Sequence, residues 1–254
     1  MTKIVIGRQF CGPPNSGNGG YVCGVLADGL KGPATSVLRA PVPLDVDLDL
    51  ERSEDGANIL TGADGGLVGQ GRAAPGFELP EPPPAPSLES AKAAGQRYAG
   101  LEQRFHPICF TCGSAREEGD GLRVFVGQVE GAPQGQMAGV WTPHPVFADA
   151  DGRVAEAVVW AALDCPGYFA WVEKEGRHGA LLGTMTGEVL RRPRAGEPCI
   201  VSAWPLAREG RKETAGVALF TADGVLLARA HQVWIVMAPR SAAPAPDTAT
   251  ATTA

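Results

Sequence analysis

The chain predicts an α+β fold made of two similar halves, and three observations carry that reading. First, Val37-Leu38-Arg39-Ala40-Pro41 is matched later by Val189-Leu190-Arg191-Arg192-Pro193. Second, Ala63-Asp64-Gly65-Gly66-Leu67-Val68 is matched by Ala222-Asp223-Gly224-Val225-Leu226-Leu227. Each Asp-Gly pair sits between apolar runs, which is the signature of a hairpin turn. Third, a largely apolar segment, long enough for a buried helix, precedes each VLR element: 19–30 and 154–172.

Each half therefore reads as a strand, a buried helix and several antiparallel strands. Pro166-Gly167 should kink or end the second helix, because proline has no N–H to donate and clashes with the preceding turn. The late strands fall at 180–190, 198–207, 214–221 and 224–237. Val201, Ala203 and the run from Val217 to Phe220 suit a pleated surface with one buried face. Between the halves, the Pro-rich stretch 78–87 predicts an extended linker. Residues 88–104 then favour a connecting helix, with Ser87 or Ser90 as its cap. The end of the chain, APAPDTATATTA, has no large apolar side chain and predicts a disordered tail. The expected organisation is an N-terminal unit at 1–77, a linker and connecting helix at 78–104, a C-terminal unit at 105–240 and a tail at 241–254. The two units should pack as an intramolecular pseudo-dimer.

Composition narrows the function. With 44% hydrophobic residues in 254, a sizeable core can be buried, while 34 Gly and 22 Pro make the chain rich in turns. A net charge of −6 gives no general phosphate-neutralising surface, so no nucleic acid partner is expected. No stretch approaches the roughly 20 apolar residues of a membrane span. The apolar core near the N-terminus is too short for a secretory signal, so the expected location is cytoplasmic. Six cysteines are too few for a disulfide scaffold and predict reduced thiols. There is no Gly-x-Ser-x-Gly elbow, no Walker A loop and no dinucleotide fingerprint, since Val22 stands where the third glycine would be.

The duplicated pattern resembles the acyl-CoA thioesterase II-like proteins. The segment Gly19-Gly20-Tyr21-Val22-Cys23-Gly24-Val25-Leu26 is similar to the Gly-Gly-opened helix of that family's first unit. The segment from Ala222 to Gln232 resembles its last hairpin, whose second strand bears a catalytic glutamine, and Gln232 falls at that position. The resemblance covers about 5–75 and 120–238. It implies a double hotdog fold, with two antiparallel sheets each wrapping one long helix, and hydrolysis of an acyl-CoA thioester without a cofactor. The chain departs from the family's Asp–Thr–Gln set: Met185 stands at the Asp position and about Ala207 at the Thr position. A second resemblance, to single-hotdog thioesterases of the phenylacetyl-CoA type, implies a different pairing. There a Gly-Gly helix tip holds the thioester carbonyl and an Asp on the partner helix activates water, positions that match Gly19-Gly20 and Asp164.

The chemistry of these residues fits those roles. A helix N-terminus offers unpaired N–H groups and the positive end of the macrodipole, and glycines let a carbonyl approach closely. Asn18, Gly19, Gly20 and Tyr21 are thus the expected oxyanion and substrate-binding element. The same glycines would also serve a tight turn and close packing. Asp164 lies in an apolar run, where burial would raise its pKa toward that of a useful base; capping a break at Pro166 is the structural alternative. Gln232 would orient water, or else serve as a satisfied sheet residue; His231 should point to the opposite face. Asp28, followed by Gly29, suits a helix end. Arg191, Arg192 and Arg194 form the densest basic cluster and could meet CoA phosphates.

His106, Cys109 and Cys112 have metal-like spacing, but no fourth ligand is evident nearby, so a packed turn with free thiols and no metal is expected. The expected function is acyl-CoA hydrolysis, with the acyl chain near Tyr21, Val22, Trp160 and Tyr168, and with a homodimer plausible for this architecture. The alternatives are a non-catalytic acyl-CoA or lipid-binding protein and an enoyl-thioester hydratase or dehydratase. The hydratase ranks lower because none of the four histidines stands in an Asp-x-x-x-x-His helix.

Overall fold

The computed structural model describes residues 1–237 apart from Arg104. The expected tail at 241–254 lies outside the described residues, as does 238–240. The first half contains β1 (Thr2–Val5), α1 (Gly19–Ala27), β2 (Ala34–Leu38), β3 (Asp47–Arg52), β4 (Asn58–Thr61) and β5 (Leu67–Ala73). Two short helices follow, α2 (Leu88–Gly95) and α3 (Gly100–Gln103). The second half contains β6 (Gly127–Gln128), β7 (Met137–Trp141), α4 (Glu156–Ala162), α5 (Asp164–Glu175), β8 (Ala180–Val189), β9 (Cys199–Glu209), β10 (Lys212–Thr221) and β11 (Leu226–Val236).

The strands form one antiparallel sheet in the order β1-β3-β4-β5-β2-β8-β11-β10-β9-β7-β6. The two expected sheets are thus fused edge to edge through β2 and β8, with Ala34 opposite Gly187 and Val37 opposite Thr184. Pairing two edges removes the exposed row of N–H and C=O groups that each half alone would present. The turns are those the sequence predicts. Gly65 joins β4 to β5 and Gly224 joins β10 to β11, with φ of 76° and 87°, a region that costs glycine nothing.

The sheet wraps α1 in the first half and the α4–α5 pair in the second, which is the α+β double hotdog architecture. Alternation in β11 decides what faces the helices. Ala228, Ala230, Gln232 and Trp234 are buried, while Arg229, His231 and Val233 face the other way, so His231 and Gln232 point to opposite sides as expected. The same alternation splits the core: Val201, Ala203, Val217 and Leu219 belong to the main cluster under α5. Ile200, Ala218 and Phe220 belong to a cluster on the opposite face. There α2 lies flat, with Ala91 and Ala94 fully buried and Ser87 Oγ accepting from the Ser90 amide at 3.1 Å. A third cluster, with Leu26, Leu48, Leu60 and Val22, fills the first half.

The first helix is short because Asn58 stops it. Its Nδ2 donates to the Leu26 and Asp28 carbonyls at 2.9 and 2.8 Å, and Asp28 is the C-cap, the helix-end role expected of it. The second helix breaks at Leu163, between α4 and α5 and three residues before Pro166. Pro166 is in the first turn of α5, so its missing N–H leaves the end of α4 without a continuing bond, and the break falls upstream of the proline itself.

Candidate active site at the tip of the first helix

The tip of α1 is built around Asn18, its N-cap, whose Oδ1 accepts from the Tyr21 amide at 2.9 Å. The Asn18 carbonyl takes the Val22 amide at 3.1 Å. Asn18 Nδ2 reaches the other half of the molecule. It donates to Asp164 Oδ2 at 2.8 Å and to Thr111 Oγ1 at 3.1 Å, and lies 3.8 Å from Cys109 Sγ. Asn18 and Asp164 are both buried. The structure therefore brings Asn18, Gly20 and Asp164 together across 146 residues of sequence.

Two glycines make that approach possible. A Cβ on Gly20 would lie 2.6 Å from Asp164 Cβ and 2.6 Å from the Trp160 carbonyl oxygen. A Cβ on Gly24, one turn along, would lie 2.6 Å from Ala157 Cα and 2.9 Å from Trp160 Cβ. Gly20 and Gly24 thus form a bare stripe on which α4 rests; close packing is expected of Gly20 from the sequence, though against the sheet rather than a second helix. Gly19 is half-buried and next to Leu182 and Leu38. Among the described residues its amide has no hydrogen-bond partner, so it is the first-turn donor left unspent; the Tyr21 amide, expected to hold a substrate oxygen, is occupied by the cap.

Asp164 sits at the α4–α5 break, and its Oδ1 is a buried oxygen without a hydrogen-bond partner. Burial, and secondarily the negative charge on Cys109, push its pKa up to about 7; the Gly20 amide and Asn18 oppose the shift. The break itself is tied down from several sides. Thr111 Oγ1 donates to the Ala161 carbonyl at 2.7 Å. Gln232 Nε2 donates to the Leu163 and Asp164 carbonyls at 2.6 and 2.9 Å, and Gln232 Oε1 accepts from Trp234 Nε1 at 2.8 Å. Both amide hydrogens of Gln232 are thereby used on the backbone that carries Asp164. Its approach requires Gly167, where a Cβ would stand 1.9 Å from Gln232 Oε1. In the sheet Gln232 lies opposite Met185, so the departure at Met185 places an apolar side chain beside the glutamine.

Other expected residues are scattered. Arg191 pairs with Glu197 (2.6 Å), and Arg192 pairs with Asp149 and with Asp151 (2.6 Å). Two of the three guanidinium groups thus already have carboxylate partners, and Arg194 is the exposed one. Of the four side chains expected along the acyl chain, Trp160 lies in the main core cluster with Tyr21 and Tyr168 packed against it, and Val22 lies in the first-half cluster, which Tyr21 also borders. Tyr21 stacks on Phe10 with centroids 4.1 Å apart, while Tyr168 packs on Phe105, Phe169 and Trp234. Ala207 is exposed on β9.

Among the described residues, two surface clefts stand out. One, of about 480 Å³, lies over β2, β8, β10 and β11 and includes Val37, Thr184, Lys212 and Val233. The other, of about 390 Å³, includes Arg8, Cys11, Ile108 and Arg116. Neither includes Asp164.

A third thiol joins the pair expected in the loop after α3. Cys109, Cys112 and Cys165 are all buried, and their sulfurs lie within 4.8 Å of one another. Cys165 follows Asp164 at the start of α5; a gap of 56 residues hid this contact from motif reading. Cys109 is held well below the ordinary thiol range by hydrogen bonds from the Cys112 and Cys165 thiols and by the Cys112 and Thr111 amides. The same thiol bonding to Cys109 pushes Cys112 and Cys165 up. All six cysteines are unpaired.

No known protein-family model and no curated protein matches the chain. Solved structures do. A conserved protein of unknown function with a hot dog fold from Alicyclobacillus acidocaldarius is 14% identical over 93% of each chain, with a TM-score of 0.62. The acyl-CoA thioesterase II TesB2 from Mycobacterium marinum is 14% identical over 90% of this chain and 92% of its own, with a TM-score of 0.55. The tesB protein of Mycobacterium avium subspecies paratuberculosis is 15% identical over 89% of each, also at 0.55. At such identities the likeness establishes the fold: the chain is built as a double hotdog.

Proposed function

We propose that the protein hydrolyses an acyl thioester, with CoA as the thiol carrier, at the junction of the α1 tip and Asp164. One observation carries this reading: a buried carboxylate with an unpartnered oxygen abuts a glycine-opened helix tip from the opposite half of the molecule. A thioester hydrolase needs a donor for the developing oxyanion and a base for water. The Gly19 amide supplies the first, with Gly20 beside it, and Asp164 the second. Asn18 holds the tip and the acid in register. Gln232 acts as a positioning residue: it fixes the Asp164 backbone, and its own donors are spent. Arg194, exposed after β8, is the guanidinium of its cluster best placed to meet CoA phosphates. The chemistry requires no metal or organic cofactor.

The fold supports this reading, since a solved structure of the same architecture bears the name acyl-CoA thioesterase II. Among the described residues, no helix is long and apolar enough to cross a membrane. A cytosolic location suits the six unpaired thiols, and the homodimer that belongs to this reading is checked by light scattering. The decisive experiment is thiol release across acyl-CoAs of increasing chain length, with wild type and Asp164→Asn side by side. Loss of a general base lowers turnover by about 10²–10⁴-fold; undiminished release by Asp164→Asn removes Asp164 from the reaction. A second reading, acyl-thioester binding without turnover, draws on the enclosure of Asp164 away from both clefts. Saturable binding with no released thiol would select it.

A further inference from the structure

The three buried thiols beside the α4–α5 break neither donate nor accept a proton in the hydrolysis described above. Their geometry is specific. Cys109 Sγ and Cys165 Sγ are 3.6 Å apart. A disulfide would bring them to about 2.05 Å. Two thiolates on one tetrahedral zinc, each at about 2.3 Å, stand about 3.8 Å apart. The observed spacing is that of two ligands around a common ion, and Cys112 completes the set within 4.8 Å.

The loop that carries two of the thiols has the form such ligation needs. In Cys109-Phe110-Thr111-Cys112-Gly113 the chain folds back on itself, with the Gly113 amide donating to the Cys109 carbonyl at 2.8 Å. A Cβ on Gly113 would lie 2.5 Å from that carbonyl oxygen and 2.6 Å from the Pro107 carbonyl oxygen, so only glycine closes the turn. Thr111 Oγ1 and the Tyr98 hydroxyl, which donates to the Cys112 carbonyl at 2.9 Å, lock the loop in place. The third sulfur comes from the first turn of α5, so an ion here would clamp the loop to the helix break.

We propose that Cys109, Cys112 and Cys165 form a thiolate site for a zinc-class divalent cation, supplying three of its four tetrahedral positions. Soft sulfur donors in this number select zinc over magnesium or calcium, which take oxygen ligands. Asn18 Nδ2 contacts both Cys109 Sγ and Asp164 Oδ2, so the site borders the carboxylate without including it.

The test uses the full chain, purified under reducing conditions without a histidine tag. Elemental analysis should find one zinc per chain. Titration of the metal-free protein with Co²⁺ should give thiolate-to-cobalt charge-transfer bands and the visible bands of a tetrahedral ion. Cys165→Ser should lower zinc retention against a chelator by at least about tenfold, while Cys199→Ser, in β9 away from the cluster, should leave it unchanged. The wild-type cobalt spectrum needs no variant to fold. Absence of both zinc and cobalt binding by natively folded wild type overturns the proposal. So does full retention of metal by Cys165→Ser, or a Cys109–Cys165 disulfide found by mass spectrometry in the freshly isolated protein. Metal content is read independently of thioester turnover, so neither result decides the other.

Discussion

Replacing Gly24 with alanine tests how closely α1 and α4 are meant to pack. In isolation the change favours the helix by about 0.8–1.0 kcal/mol, because alanine loses less backbone freedom on folding. Here the new methyl would meet Ala157 Cα at 2.6 Å and Trp160 Cβ at 2.9 Å. Ordinary carbon contacts lie at about 3.5–4.0 Å, so one helix must move by nearly 1 Å. The obstacle at Ala157 is backbone, and the obstacle at Trp160 is a Cβ in a fully buried core, so no flexible side-chain end can yield. Overpacking of this kind costs about 1–3 kcal/mol, and rigid neighbours place it at or above the upper end. The net expectation is a loss of about 2 kcal/mol, or about 4–8 °C in Tm for a chain of this size. Gly76→Ala is the matched control: nothing lies within 4 Å of its would-be Cβ and its backbone is ordinary, so its stability should change by less than about 0.5 kcal/mol. Calorimetry or urea unfolding reads both. A Gly24→Ala protein that melts at or above wild type would refute the close crossing of α1 and α4.

Three further substitutions follow from the structure. Gln232→Leu leaves two backbone carbonyls and the Trp234 indole N–H without their partner, and should cost at least about 2 kcal/mol in urea unfolding while also lowering kcat. Asn18→Ala removes the α1 cap and the side-chain amide that donates to the Asp164 carboxylate; a loss of about 1–2 kcal/mol is expected, with turnover falling more than KM changes. His178→Ala strips the fully buried Glu213 of its 2.8 Å partner. Leaving a buried polar group without its hydrogen bond costs about 1–3 kcal/mol, and Arg208 at 3.7 Å should keep the loss at the low end. Stability equal to wild type in that variant would mean that Glu213 does not need its partner.

The legible and hidden parts of the molecule divide by sequence range. Strands β8 to β11 were readable to within about two residues at each end, because alternation and Asp-Gly turns act over neighbouring positions. Asn18, Gly19 and Gly20 were readable as a helix tip for the same reason, and Asp164 because a charged residue in an apolar run asks for an explanation. Three features were not readable. Arg191 and Arg192 looked like a free basic cluster, since Asp149 and Asp151 lie more than 40 residues upstream of Arg192. The break at Leu163 was expected at Pro166, where the proline is visible; its consequence falls on the carbonyl one turn earlier. Cys165 showed no link to Cys109 and Cys112, because tertiary contacts such as that of Thr111 with the end of α4 bring the loop to α5.

Fusing the halves through β2 and β8 also changes what the molecule is free to become. Two identical subunits must repeat every functional group twice, around a twofold axis. A tandem chain has no such obligation. In the proposed reaction the rear copy contributes the acid, whereas Asp28, its rough counterpart in the front copy, is the C-cap of a helix. Division of labour between duplicated segments should therefore leave a single productive centre per polypeptide, and an inhibitor titration would count it as one.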